Sequence, residues 1–110
     1  MIDERANHIL DCAADIFLLK RDVICGKSRK KYIVRAKQAI CYVLRGLGYK
    51  TREVAVIVGY TDHSTAIYAA NIAWETMKRD KRYRQRVERL ASVYRLQTLS
   101  RAKVLSDELY

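Results

Sequence analysis

The stretch "TREVAVIVGYTDHSTAIYAA", residues 51–70, holds two helical patterns on either side of one glycine. Thr51 can cap a short helix whose Val54, Ile57 and Val58 turn inward. Gly59-Tyr60-Thr61 reads as a turn. From about Asp62 to Arg79 apolar residues recur at helical spacing: Ala66, Ile67, Ala70, Ile72, Ala73, and Trp74 or Met77. "VAVIV" is β-branched, but it is too short and isolated to build a sheet. A short helix, a tight turn and a longer helix make a helix-turn-helix pattern.

Working outward, apolar periodicity predicts three more helices. One spans about residues 3–24, with Ile9, Ala13, Ile16, Phe17 and the Lys20 stem on one face and Gly26 as its stop. A second spans about Lys30–Gly46, with Ile33, Ala36, Ile40, Val43, Leu44 and Leu47 on its apolar face and Gly46 and Gly48 as its stop. The last covers about residues 81–105 through Tyr83, Val87, Leu90, Ala91, Tyr94 and Leu99. The chain has 110 residues, half of them hydrophobic, no proline and four glycines. That composition predicts a single all-α domain, a small bundle of about five helices around a modest core. Residues 1–26 are expected as an N-terminal packing helix, 27–80 as the helix-turn-helix core and 81–105 as a C-terminal helix.

Charge is concentrated. The net charge is +10, and residues 27–52 hold nine basic and no acidic side chains. Residues 78–110 hold ten basic and four acidic ones, whereas 53–77 hold no Lys or Arg at all. A basic patch beside a helix-turn-helix points to a polyanion partner. The run "KRDKRYRQRVER" reads as a solvated helix face rather than a second phosphate contact, and its interleaved acids make a poor membrane wedge. Nothing is long and apolar enough to span a bilayer, and the polar start "MIDERANHIL" is unlike a signal peptide. Cys12, Cys25 and Cys41, odd in number and set in apolar runs, read as reduced, buried thiols of a cytoplasmic protein. His8 and Cys12 are four apart, but no second pair joins them as metal ligands. Tyr32, Tyr42, Tyr49, Tyr83 and Tyr94 read as packing residues before stacking platforms.

"DHST" at the mouth of the longer helix admits three readings. Asp62 or Thr61 can cap the helix. A Ser64-His63-Asp62 triad is excluded, because successive helical residues point about 100° apart and cannot relay protons. A base-reading tip fits best. His63 can donate or accept at a base edge, Asp62 can accept from a cytosine amino group, and Ser64 and Thr65 can bond bases or phosphates. No enzyme activity and no cofactor are expected.

The segment "VRAKQAICYVLRGLGYKTREVAVIVGYTDHSTAIYAANI" resembles the C-terminal DNA-binding domain of the DnaA family of bacterial replication initiators. The likeness runs from about Lys27 to Arg79 and rests on the basic approach, on Arg35, Lys37 and Gln38 at the start of the second helix, and on "DHST". It implies a Trp-repressor-like helical fold that binds double-stranded DNA at a short DnaA-box-like site. It implies minor-groove insertion by Arg29 and base reading by Asp62, His63, Ser64 and Thr65. Lys31, Arg35, Lys37, Arg45, Lys50, Arg52 and Tyr68 would meet phosphates or groove edges. Two departures stand out. Gly59-Tyr60-Thr61 replaces two small residues and an arginine, and "REV" replaces "PEI". The 110 residues contain no G-x-x-x-x-G-K-[ST] loop, so the expectation is a DNA reader without the family's ATPase domain, lying at the nucleoid. Its role would be that of a stand-alone replication accessory or transcriptional regulator of phage or mobile-element origin, with replication or transcription proteins as candidate partners. The alternative is a protein-interaction module using the same helical surface, its charge serving non-specific nucleic-acid contact.

Overall fold

The computed structural model describes residues 2–94. These form six helices and no strand: α1 (Glu4–Phe17), α2 (Arg21–Ile24), α3 (Lys31–Gly46), α4 (Thr51–Val58), α5 (His63–Arg79) and α6 (Lys81–Ser92). Helix α3 is the hub, packing against each of the other five. Residues 36–46 are therefore buried without interruption, where the apolar period alone suggests a one-sided helix. A helix enclosed on every side must place its polar groups too, and Lys37, Gln38 and Arg45 all lie inside.

The expected first helix is two. The chain leaves α1 at Leu18, whose φ of 56° is left-handed, while the Leu18 and Leu19 amides donate to Asp15 and Ala14 carbonyls. A leucine there carries local strain and is 85% exposed. The reversal lets the short α2 set Ile24 into the core. Ile16 is only partly buried and Lys20 is exposed, while Ala6 and Leu10 complete the inner face of α1.

Helix α4 starts one residue earlier than a Thr51 cap would put it. Lys50 is the N-cap, and the Glu53 carboxylate accepts its N–H at 2.8 Å. The last predicted helix is confirmed from Lys81 to Ser92. Its expected continuation to 105, with Leu99, lies outside the described residues. Helix α3 continues through Gly46 and ends before Gly48, which takes a left-handed φ of 99°. Cys41 is buried, but Cys12 and Cys25 are only half-buried, and all three are free thiols. Burial pushes the Cys41 thiol up to about 12, which leaves it an inert packing group.

Helix α5 turns Ala66, Ala69, Ala70 and Ala73 inward. These small side chains let its backbone lie close to α3 and α4, its main neighbours. Of the five tyrosines read as packing residues, Tyr42, Tyr49 and Tyr83 are buried; Tyr83 donates to the Arg35 carbonyl at 2.8 Å. Tyr32 is more exposed, yet its hydroxyl donates to the Phe17 carbonyl.

Tyr49 fastens the bundle's far end. Its hydroxyl donates to the Asp3 carboxylate at 2.6 Å, and Asp3 also caps α1 by accepting from the Ala6 amide at 2.8 Å. The Tyr49 carbonyl accepts from the Arg45 guanidinium at 2.7 Å, and Arg5 lies 4.9 Å from the centre of the Tyr49 ring. The Tyr49 hydroxyl, then the Ala6 amide, hold the Asp3 carboxyl below its ordinary value. Asp3 therefore stabilises the fold fully above the ordinary carboxylate range, and this contribution disappears as pH falls through the lowered pKa. Melting curves of wild type and Asp3→Asn should differ at neutral pH and converge below about pH 4. A gap that persists at acid pH would mean that ionisation of Asp3 has no part in it.

Gly59 closes α4 with φ of 86°, and a Cβ there would lie 2.6 Å from the Cys25 carbonyl oxygen. Gly59→Ala should lower the unfolding free energy by about 1–3 kcal/mol, combining the left-handed penalty with the clash. Urea denaturation measures it, and an unchanged midpoint would show that the turn gives way freely.

Candidate nucleic-acid interface

The turn between α4 and α5 begins with the Gly59 and Tyr60 amides, which both donate to the Ala55 carbonyl, at 2.9 and 2.8 Å. The chain then bends at Thr61 and Asp62, and Asp62, with an extended backbone, is the N-cap of α5. One Asp62 carboxylate oxygen accepts from the Ser64 amide at 3.0 Å and from the Ser64 hydroxyl at 2.9 Å. Those two bonds, the backbone one first, hold its pKa below the ordinary value, so Asp62 is an anion at neutral pH. "DHST" thus caps the helix and still presents a surface. Residues 61–65 are all exposed, and Tyr68, 65% exposed, follows Thr65 at the i+3 spacing of one helix face.

Opposite this face stands the segment 26–30, between α2 and α3. Lys27, Ser28 and Arg29 border one side of a surface depression, and Thr61, Thr65 and Tyr68 border the other. Arg29 is exposed at its rim, with Lys30 and Lys31 beside it. The structure therefore brings the basic loop and the tip of α5 together from positions more than thirty residues apart. His63 is exposed at the tip itself.

Lys37 lies between the two walls, 8% exposed. Its ammonium donates to the Gly26 carbonyl at 2.7 Å and sits 4.6 Å from the centre of the Tyr60 ring. It thus ties the loop to the turn, and the bulky Tyr60, a departure in sequence, supplies the aromatic face for the cation. Burial lowers the Lys37 pKa from its usual value.

The remaining expected contacts divide. Lys50 and Arg52 are exposed but stand at the far end of α4, roughly 12 Å of helix from the turn. Arg35 is partly exposed and pairs with Asp80 at 3.6 Å. Arg45 is corrected outright: at 4% exposure, with its guanidinium donating to the Tyr49 carbonyl, it serves the fold and has no surface to offer a phosphate. It lies within the run 36–46 that is buried without a break, a burial that apolar spacing does not signal. The Lys37 tie had no signal in sequence, since a lysine in a basic run looks like any other.

The fold and this surface define a helix-turn-helix protein of the kind that presents a polar helix tip beside a basic loop. The pattern described as "Bacterial dnaA protein helix-turn-helix" matches residues 6–72, so the chain belongs to that family. The match begins within α1, upstream of Lys27. The chain is similar to the chromosomal replication initiator protein DnaA of Corynebacterium jeikeium, 30% identical over 84 residues, which cover 76% of this chain and 14% of that one. It is also similar to the protein of the same name from Bacteroides thetaiotaomicron, 27% identical over 86 residues, covering 77% and 18% respectively. The chain spans less than a fifth of the length of either relative. No solved structure matches it. Among the described residues, no helix is long and apolar enough to cross a membrane.

Lys37→Met keeps the stem and removes the tie. Global stability should change by under about 1 kcal/mol, because relief of the buried charge offsets the lost bonds. Amide exchange at residues 27–30 should accelerate while α3 stays protected. Unchanged exchange in that loop would show that Lys37 does not hold it.

Proposed function

We propose that this protein binds double-stranded DNA sequence-selectively, with the tip of α5 in the major groove and the 26–30 loop at the adjacent minor groove. The observation that carries this reading is the pairing of an exposed polar tip, Thr61 to Thr65, with a basic loop across one shared depression. In such motifs the first residues of the second helix reach base edges. His63 is then the chief reader. Asp62 orients Ser64 and offers its second oxygen as an acceptor, and Thr65 offers a methyl and a hydroxyl. Arg29 enters the minor groove, where narrow A·T tracts favour a guanidinium. Lys31 and Tyr68 meet the backbone, with Arg35 at the groove edge. Lys37 adds to binding chiefly by holding the loop. Lys50 and Arg52 lie at the margin of this surface, within reach of flanking phosphates only.

The target in this reading is a short box like those at bacterial replication origins, in line with the replication initiators to which the chain is similar. The described residues work by occupancy, marking such a site or competing for it as a stand-alone replication accessory or regulator at the nucleoid.

Fluorescence anisotropy at about 150 mM salt tests this, since screening there suppresses weak charge contacts. The probes are a duplex carrying an initiator box and a scrambled duplex. His63→Ala should cost about 1–3 kcal/mol on the box and erode its preference over the scrambled duplex. Lys31→Gln should weaken both duplexes alike and reduce the salt slope by about 1. Equal losses for both variants on every sequence would refute base reading by the tip.

A further inference from the structure

The groove that starts between the loop and the α5 tip does not end there. A second depression, toward the start of α6, shares Val34, Gln38 and Ile72 with the first, so the two form one continuous trough between α3 and α5. Its far end is lined by Lys31, Arg35, Arg79, Lys81 and Arg82, with Asp80 as the one acid. Asp80 is already committed. One oxygen accepts from the Tyr83 amide at 3.1 Å to cap α6, and the other lies 3.6 Å from Arg35. Lys31, Arg79, Lys81 and Arg82 are all exposed.

Helix energetics accounts for Arg79, since a cation suits the C-terminal end of α5. It does not account for Lys81 and Arg82. They occupy the first turn of α6, where the positive end of the dipole disfavours cations, and that turn contains no acid. Five cations converge on one acid, two of them against the local rule. Such an arrangement repels itself until an anion fills it. The trough follows α5, a helix of 17 residues and so about 25 Å long, which matches the axial rise of roughly seven base pairs.

We infer that this cationic end is a second DNA-contact surface, taking the sugar-phosphate backbone of the duplex flanking the sequence read by the tip. Binding therefore draws on more DNA than the box itself, and the flank adds affinity without adding sequence preference. This rests on the proposed reading of α5 as the element in the major groove.

The test uses the full chain and the variant R79Q/K81Q/R82Q, whose sites are exposed and whose fold is checked by circular dichroism and melting. The probes are box duplexes of about one helical turn and about three turns, roughly 10 and 30 bp, and a scrambled duplex of the longer length. On the long duplexes the variant's slope of log affinity against log salt should fall by roughly 2–3 relative to wild type. On the short duplex the two proteins should bind alike, and the box-to-scrambled ratio should be the same for both. Equal slopes on the long duplexes would overturn the inference. So would a loss of the same size on the short one, which would place the three cations at the box. A variant that keeps its duplex affinity but loses binding to a poly-glutamate peptide would assign the trough to an acidic protein segment, and overturns it too. Failure of the reading of α5 looks different. Wild type would then show no preference for the box, while the slope comparison on the long scrambled duplex still decides the trough. Absence of all duplex binding would overturn both.

Discussion

The contact between Gly59 and the Cys25 carbonyl sets the geometry of the candidate interface. The turn that aims α5 and the loop that presents Arg29 touch here through backbone alone, with no room for a side chain. Around that contact Lys37 joins the Gly26 carbonyl to the Tyr60 ring, and the Cys25 thiol faces the Ile57 carbonyl at 3.9 Å. Loop and tip are therefore positioned as a unit. Two surfaces meant for adjacent grooves of one duplex must hold a fixed separation, and a backbone contact supported by a buried cation supplies it without long side chains that would need ordering.

The core is arranged to permit this. Helix α3 is surrounded, so it cannot shift without disturbing every neighbour, and both walls of the trough are referred to it. At the other end of the bundle, the Asp3, Arg5, Arg45 and Tyr49 cluster attaches α1 to the α3–α4 connection. Arg45 shows how far this goes: an arginine that could serve a phosphate is buried to secure a carbonyl instead.

Much of this was legible in the chain. Helices α3, α4 and α5 begin and end within a residue or so of where Gly48, Gly59 and Asp62 punctuate the apolar period, because those residues act through local backbone chemistry. The break at Leu18 was not legible. A left-handed leucine is imposed by packing on either side of it, and no glycine, asparagine or proline marks the spot. Burial of Arg45 was hidden for a similar reason, since periodicity reports one face of a helix and α3 has none left over. Of the candidate contacts, the exposed "DHST" tip and its basic neighbour across the depression were readable from capping signals and charge. The added bond from the Ser64 hydroxyl to Asp62 depends on a rotamer that spacing does not encode. The charged start of α6 read as an ordinary solvated face until Asp80 was seen to be occupied twice.

Helix α5 keeps packing and display apart. Ala66, Ala69, Ala70 and Ala73, with Thr76 and Met77 near its end, do the packing, and the exposed side chains at the tip take almost no part in it. Mutation can therefore explore the outward positions with little penalty to folding. A scaffold of this kind can drift to new recognition sequences one side chain at a time, and a library randomised at residues 61, 63, 64 and 68 would sample alternative specificities on an intact domain.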